Sequence, residues 1–120
     1  MTTAQRAEEV RLTLERALGD VPDPCMLAAG SPASIVDLGL VDEVVLDGTT
    51  AKVTITLTEP GCPFTHHIIA DITDAAEAIE GIENVQVVPR WAPLWTEDRL
   101  RPEGRRQLVE ARKRMRQEAA

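Results

Sequence analysis

Apolar positions divide the chain into segments with two different rhythms. Along Lys52-Val53-Thr54-Ile55-Thr56-Leu57 they alternate with polar ones, the period of a half-buried strand. Between residues 3 and 18 the rhythm is helical, with Ala7, Val10, Leu14, Ala17 and Leu18 on one face, Thr2 or Thr3 as the cap and Gly19 as the stop. Residues 20 to 32 read as a loop, bounded by Val21-Pro22-Asp23-Pro24 and Gly30-Ser31-Pro32. Ser34 to Val41 reads as a short apolar turn feeding a strand over residues 42 to 46, and Asp47-Gly48 is a hairpin signal that leads into the alternating strand. From Pro63 to Glu80 a second helix would line up Phe64, Ile68, Ile72, Ala75 and Ile79, with Gly81 ending it. A third strand over residues 84 to 88 follows, then the extended stretch from Pro89 to Trp95. A last helix from Pro102 to about Gln117 carries Leu108, Ala111 and Met115 as a thin apolar stripe.

The order helix, strand, strand, helix, strand, helix predicts an α/β (α+β) domain of two layers. A three-stranded mixed sheet contains the β-hairpin, one helix crosses over, and N- and C-terminal helices flank the core. A crossover of the usual kind makes the third strand parallel to the second. The order leaves open which strand is central. With 120 residues, one domain is expected, its core spanning about 21–96.

Composition narrows the function classes. The aromatic side chains are only Phe64, Trp91 and Trp95, so the core must be aliphatic. Both tryptophans read as covers of the sheet, with an exposed partner-binding role as the alternative. No apolar run approaches the roughly 18 residues of a membrane span, and the polar start Met1-Thr2-Thr3 lacks a signal-peptide core, so a cytoplasmic protein without membrane partners is expected. In that compartment Cys25 and Cys62 stay reduced. The net charge of −7 splits unevenly: residues 99 to 116 hold eight basic and two acidic side chains, leaving an acidic remainder. A nucleic-acid binder would spread its basic footprint over the domain, so none is expected here. The basic helix is either a solvated face or a docking surface for an acidic client.

The chemistry centres on Thr58-Glu59-Pro60-Gly61-Cys62-Pro63-Phe64-Thr65-His66-His67. Pro60-Gly61 makes a turn and Pro63 suits a first helical position, which places Cys62 at the N-cap. There the helix dipole and unpaired N–H groups favour thiolate, the form that attacks electrophiles and binds metals. His66 falls opposite the apolar stripe and within one turn of Cys62, while His67 falls on the stripe's flank. Each has a plainer reading: Cys62 as a small buried hydrophobe, His66 as a solvated histidine, and His67 packed at the helix edge.

Taken together, Ser34-Ile35-Val36-Asp37-Leu38-Gly39-Leu40-Val41, Asp47-Gly48, Thr56-Leu57-Thr58-Glu59-Pro60-Gly61-Cys62-Pro63 and Pro93-Leu94-Trp95-Thr96 resemble the SufT/PaaD family of metal-sulfur cluster assembly domains over roughly residues 21 to 108. The resemblance implies an assembly or maturation factor that binds iron or an iron-sulfur cluster transiently and delivers it to a client protein. Cys62 is then the functional thiol, and Asp37 helps to shape the site. Similar proteins usually read Asp-Pro-Glu where this chain has Asp23-Pro24-Cys25, so Cys25 is either a second metal ligand, a resolving thiol or an inert loop residue. The pair His66-His67 also departs from the family pattern, and His66 joins Cys62 and Cys25 as a candidate metal ligand.

One chain offers too few thiolates for a four-cysteine site, so a homodimer could complete one. The client would be an iron-sulfur or iron-dependent protein, an oxygenase among the candidates. Two alternatives stand beside the carrier: a thiol-dependent enzyme using Cys62 as nucleophile and His66 as base, and a metal-free adaptor for an oxygenase complex.

Overall fold

The computed structural model describes residues 2–28, 30–57, 64–90 and 95–119, without the side chains of residues 25, 118 and 119. In chain order the elements are α1 (Thr3–Leu18), α2 (Pro24–Ala28), β1 (Val41–Asp47), β2 (Thr50–Thr56), α3 (Thr65–Glu77), β3 (Asn84–Arg90), a single 3₁₀ turn (Glu97–Arg99) and α4 (Pro102–Ala119). This is the α+β domain expected, and β2 is the central strand of the three. The hairpin pairs β1 antiparallel to β2 with Asp47 opposite Thr50, and Gly48 takes the left-handed φ of +61° that the tight turn needs. β3 lies parallel to β2, with Val53 opposite Val87. Pro89 sits in β3, where an edge strand tolerates a residue without an N–H.

α1 starts in a capping box: Thr2 Oγ1 accepts from Gln5 N–H, and Gln5 Oε1 accepts from Thr2 N–H. Leu14 and Leu18 of α1, Val53 and Ile55 of β2, and Ile68, Ile72 and Ala76 of α3 meet in one aliphatic core, which Ile35, Leu38 and Leu40 close from the side of the turn. Helices α1 and α3 pack on each other, α1 against β1 and α3 against β3, giving the two layers. Trp95 packs against this core as a cover; Trp91 lies outside the described residues. None of the described helices is long and apolar enough to cross a membrane.

Three expectations need correction. The stretch from Asp20 to Pro32 is not all loop, because Asp23 Oδ2 accepts from Met26 N–H at 2.9 Å and Pro24 occupies the first helical position, which together start the five-residue α2. Helix α3 begins at Thr65, two residues later than the spacing suggested, since its first turn closes with Ile68 N–H on the Phe64 carbonyl at 2.9 Å. The N-cap is therefore Phe64 and not Cys62, and Phe64, standing outside the helical phase, is 38% exposed instead of joining the stripe. Finally, His67 does not pack at the helix edge: its side chain is 64% exposed and meets Asp71 Oδ2 at 3.2 Å.

Candidate functional site

Among the described candidate residues, Asp37 and the backbone of Cys25 fall on two neighbouring pieces of chain, and His66 lies in the first turn of α3. The turn carrying Asp37 is built by its own N–H groups: Leu38 donates to the Ser34 carbonyl at 3.1 Å, Gly39 to Val36 at 3.0 Å and Leu40 to Ile35 at 2.9 Å. Ser34 and Asp37 brace it reciprocally. Asp37 N–H donates to Ser34 Oγ at 3.0 Å, and Ser34 N–H to Asp37 Oδ2 at 3.4 Å. Asp37 is half-buried, so its carboxylate stays partly open to solvent while its backbone is fixed.

This turn is tied to both of its neighbours. Asp23 N–H donates to the Ala33 carbonyl and Ile35 N–H to Val21, each at 2.9 Å, which sets α2, and with it the backbone of Cys25, beside the turn. On the other side Thr56 N–H donates to the Leu40 carbonyl at 2.8 Å, docking the turn against the end of β2. The chain runs from there into residues 58–63. Cys62 belongs to that stretch and lies outside the described residues, as does the Cys25 side chain. α3 resumes on its far side with His66 exposed in the first turn, as its position opposite the stripe predicts. Among the described residues, no group of three or more His, Cys, Asp or Glu side chains is placed to hold a metal.

A polar network at the end of β2 has no counterpart in the sequence reading. β1 carries a bulge: Val41 opposes Ile55 and Glu43 opposes Thr54, leaving Asp42 as the extra residue. The bulge turns the Asp42 carboxylate to accept from Thr56 Oγ1 at 2.5 Å and to pair with the Arg99 guanidinium. Thr56 is buried to 1% exposure, so its hydroxyl depends on this partner. The hint in the sequence was the adjacent acidic pair Asp42-Glu43, which breaks the apolar–polar alternation at the start of β1.

The turn and the stretch that holds Cys62 both fall within residues 11–88, which match the family model described as "Iron-sulfur cluster assembly protein". The chain belongs to this iron-sulfur cluster assembly family. A relative in Bacillus subtilis (strain 168), named "Fe-S protein maturation auxiliary factor YitW", is 33% identical over 95 residues, covering 78% of this chain and 87% of the relative. In Escherichia coli (strain K12) a protein provisionally named as one of the subunits of 1,2-phenylacetyl-CoA epoxidase is 37% identical over 93 residues, 78% of this chain. The match covers 53% of that relative, so it takes in about half of its length. Among solved structures, a domain of unknown function from Bacillus anthracis superposes with a TM-score of 0.78 at 28% identity, covering 89% of this chain and 98% of the other.

Membership and fold thus agree with what the spaced motifs implied. The assembly-family match ends at Val88, however, so Trp95, Arg99 and α4 lie beyond it.

Proposed function

We propose that this chain is a non-catalytic maturation factor that takes up iron or an iron-sulfur cluster as cargo on the thiolate of Cys62 and passes it to a client protein. The observation that carries the reading is the match of residues 11–88 to the iron-sulfur cluster assembly family, with the Cys62 stretch inside the matched span. The name of the Bacillus subtilis relative supports it. A thiolate suits the task because it is a soft ligand for iron, and each thiol that becomes a ligand gives up its proton on loading. Cys25 and His66 are the auxiliary ligands of this reading, and Asp37 shapes the site.

Two thiolates in one chain fall short of the four that hold a stable cluster. The missing ligands come from a second copy or from the client's own cysteines, and in the second case transfer is thiolate-for-thiolate exchange, with no electrons moved. The frame suits such exchange: α2, the Asp37 turn and the end of β2 are tied together by backbone hydrogen bonds. An oxygenase complex stays among the candidate clients, an idea in keeping with the epoxidase in the name of the Escherichia coli relative. The cytoplasm is the compartment this chemistry needs, since it keeps Cys25 and Cys62 reduced.

Helix α4 supplies the docking surface for an acidic client. Among its described side chains Ala111 is the last buried one, and from Arg112 to Gln117 every side chain is exposed. Arg112 turns back to pair with Glu97, while Lys113, Arg114 and Arg116 are concentrated on the exposed end of the helix, beside exposed Met115. The test is anaerobic transfer from the iron-loaded protein to a four-cysteine apo-ferredoxin. Acceptor absorption that rises only with the loaded carrier is the expected result; a rise no faster than with free iron and sulfide would overturn the reading.

A further inference from the structure

We propose that Trp95 and Arg99 are positioning residues of the cargo site, which hold the Asp37 turn in place by capturing its outward-facing backbone carbonyls. The proposal deepens the carrier reading and rests on it.

The turn is only half self-sufficient. The carbonyls of Ser34, Ile35 and Val36 are satisfied from within by the N–H groups of Leu38, Leu40 and Gly39, while those of the next three residues have no partner inside the turn. All three are taken by one segment of chain about sixty residues further on. Arg101 N–H donates to the Asp37 carbonyl at 2.9 Å, Trp95 Nε1 to Leu38 at 2.6 Å and Arg99 Nε to Gly39 at 3.0 Å. Arg101 contributes its backbone, which any residue could. Trp95 and Arg99 contribute side chains, so their identity matters.

Two glycines permit this close approach. A Cβ on Gly39, whose φ is +71°, would overlap the Arg99 carbonyl, and a Cβ on Gly104 would overlap the Asp37 carbonyl. The guanidinium of Arg99 also pairs with Asp42, which in turn accepts from Thr56 at the end of β2. One side chain therefore references the Asp37 turn to the strand that leads into the Cys62 stretch. The Trp95–Leu38 and Arg99–Gly39 bonds lie outside the strand ladders, and the Arg99–Asp42 pair reaches β1 only at its bulge, so loosening the clamp shifts the turn while leaving the sheet paired at Val53. Both residues lie beyond residues 11–88, the part of the chain that matches the family model.

The experiment compares wild type with Trp95→Phe, which keeps the ring and loses the donor, and with Arg99→Gln and Arg99→Lys. In the metal-free protein, amide hydrogen exchange at Leu38, Gly39 and Leu40 should rise about tenfold in Trp95→Phe and Arg99→Gln, with Val53, paired to Val44 and Val87 away from the bulge, unchanged. After anaerobic loading with ferrous iron and sulfide, these two variants should lose iron to a ferrous chelator about 10–100-fold faster, with a shifted charge-transfer band, and Arg99→Lys should recover part of the retention. Should Trp95→Phe fail to fold, the Arg99 pair gives the same readouts. Unchanged exchange in the turn, or wild-type iron retention and spectrum in folded variants, would overturn the proposal. A wild-type protein that takes up no iron overturns the carrier reading instead, and the exchange data then decide the clamp alone.

Discussion

The hydroxyl of Thr56, the last residue of β2, donates to Asp42 Oδ2 across 2.5 Å, and both sit at the strand end that leads into the Cys62 stretch. The pairing is possible because the bulge in β1 adds a residue there. Thr56→Val keeps the shape and removes the donor, leaving Asp42 with Arg99; Asp42→Ala strips both Thr56 and Arg99 of their acceptor at once. We expect Thr56→Val to cost about 1 kcal/mol and Asp42→Ala about 2–3 kcal/mol of folding stability, since buried groups left without partners are the expensive ones. Urea denaturation checks the order; equal midpoints for the two variants would contradict it.

The first turn of α4 holds a contact that acid should release. Glu103, in its first turn, accepts from the Arg106 guanidinium and, at 2.8 Å, from the Gln107 amide, and these contacts hold its carboxyl down from 4.5 to about 2. The folded pKa lies below the unfolded one, so the stabilisation is fully present above pH 4.5 and is lost as the pH falls from there towards about 2. Glu103→Gln should therefore be less stable than wild type at neutral pH and should match it near the low end of that window. Chemical denaturation of both proteins across the range measures this, and a constant difference down to the lowest pH would refute it.

The exposed end of α4 gives a salt-dependent prediction. Arg114→Glu with Arg116→Glu should slow cargo transfer to an acidic apo-ferredoxin about tenfold at low ionic strength, and the gap should close near 1 M salt, where screening shortens the reach of exposed charges to about 3 Å. Stopped-flow transfer rates against salt provide the measurement. A deficit that persists at high salt would mean that this end acts by packing and not by charge.

Local signals in the sequence carried most of the architecture. The Asp47-Gly48 hairpin, the Thr2 cap and the alternation through Val53 and Ile55 each depend on residues a few positions apart, and each is in the fold. The phase of α3 held at Ile68 and Ile72, but its start did not: Phe64 is the N-cap and so falls outside the buried stripe, and His67, on the flank, turns to Asp71 and solvent. α2 went unseen since one carboxylate, Asp23, starts it within a stretch rich in loop residues. The clamp was out of reach for a different reason. Trp95 and Arg99 meet Leu38, Gly39 and Asp42 across 57 to 60 positions of chain, and no local pattern encodes such a pairing. The motifs pointed to Cys62 and Asp37, while the contacts that fix the Asp37 turn come from the end of the extended stretch at Trp95 and from Arg99 and Arg101, which lie between that stretch and the helix that opens at Pro102.

The central claim is that the sulfur of Cys62 holds the cargo. Anaerobic reconstitution with ferrous iron and sulfide, comparing wild type, Cys62→Ala and Cys25→Ala by charge-transfer absorption and bound iron, tests it most directly. The account predicts that absorption and iron are abolished in Cys62→Ala and at most reduced in Cys25→Ala; wild-type iron content in folded Cys62→Ala would contradict it.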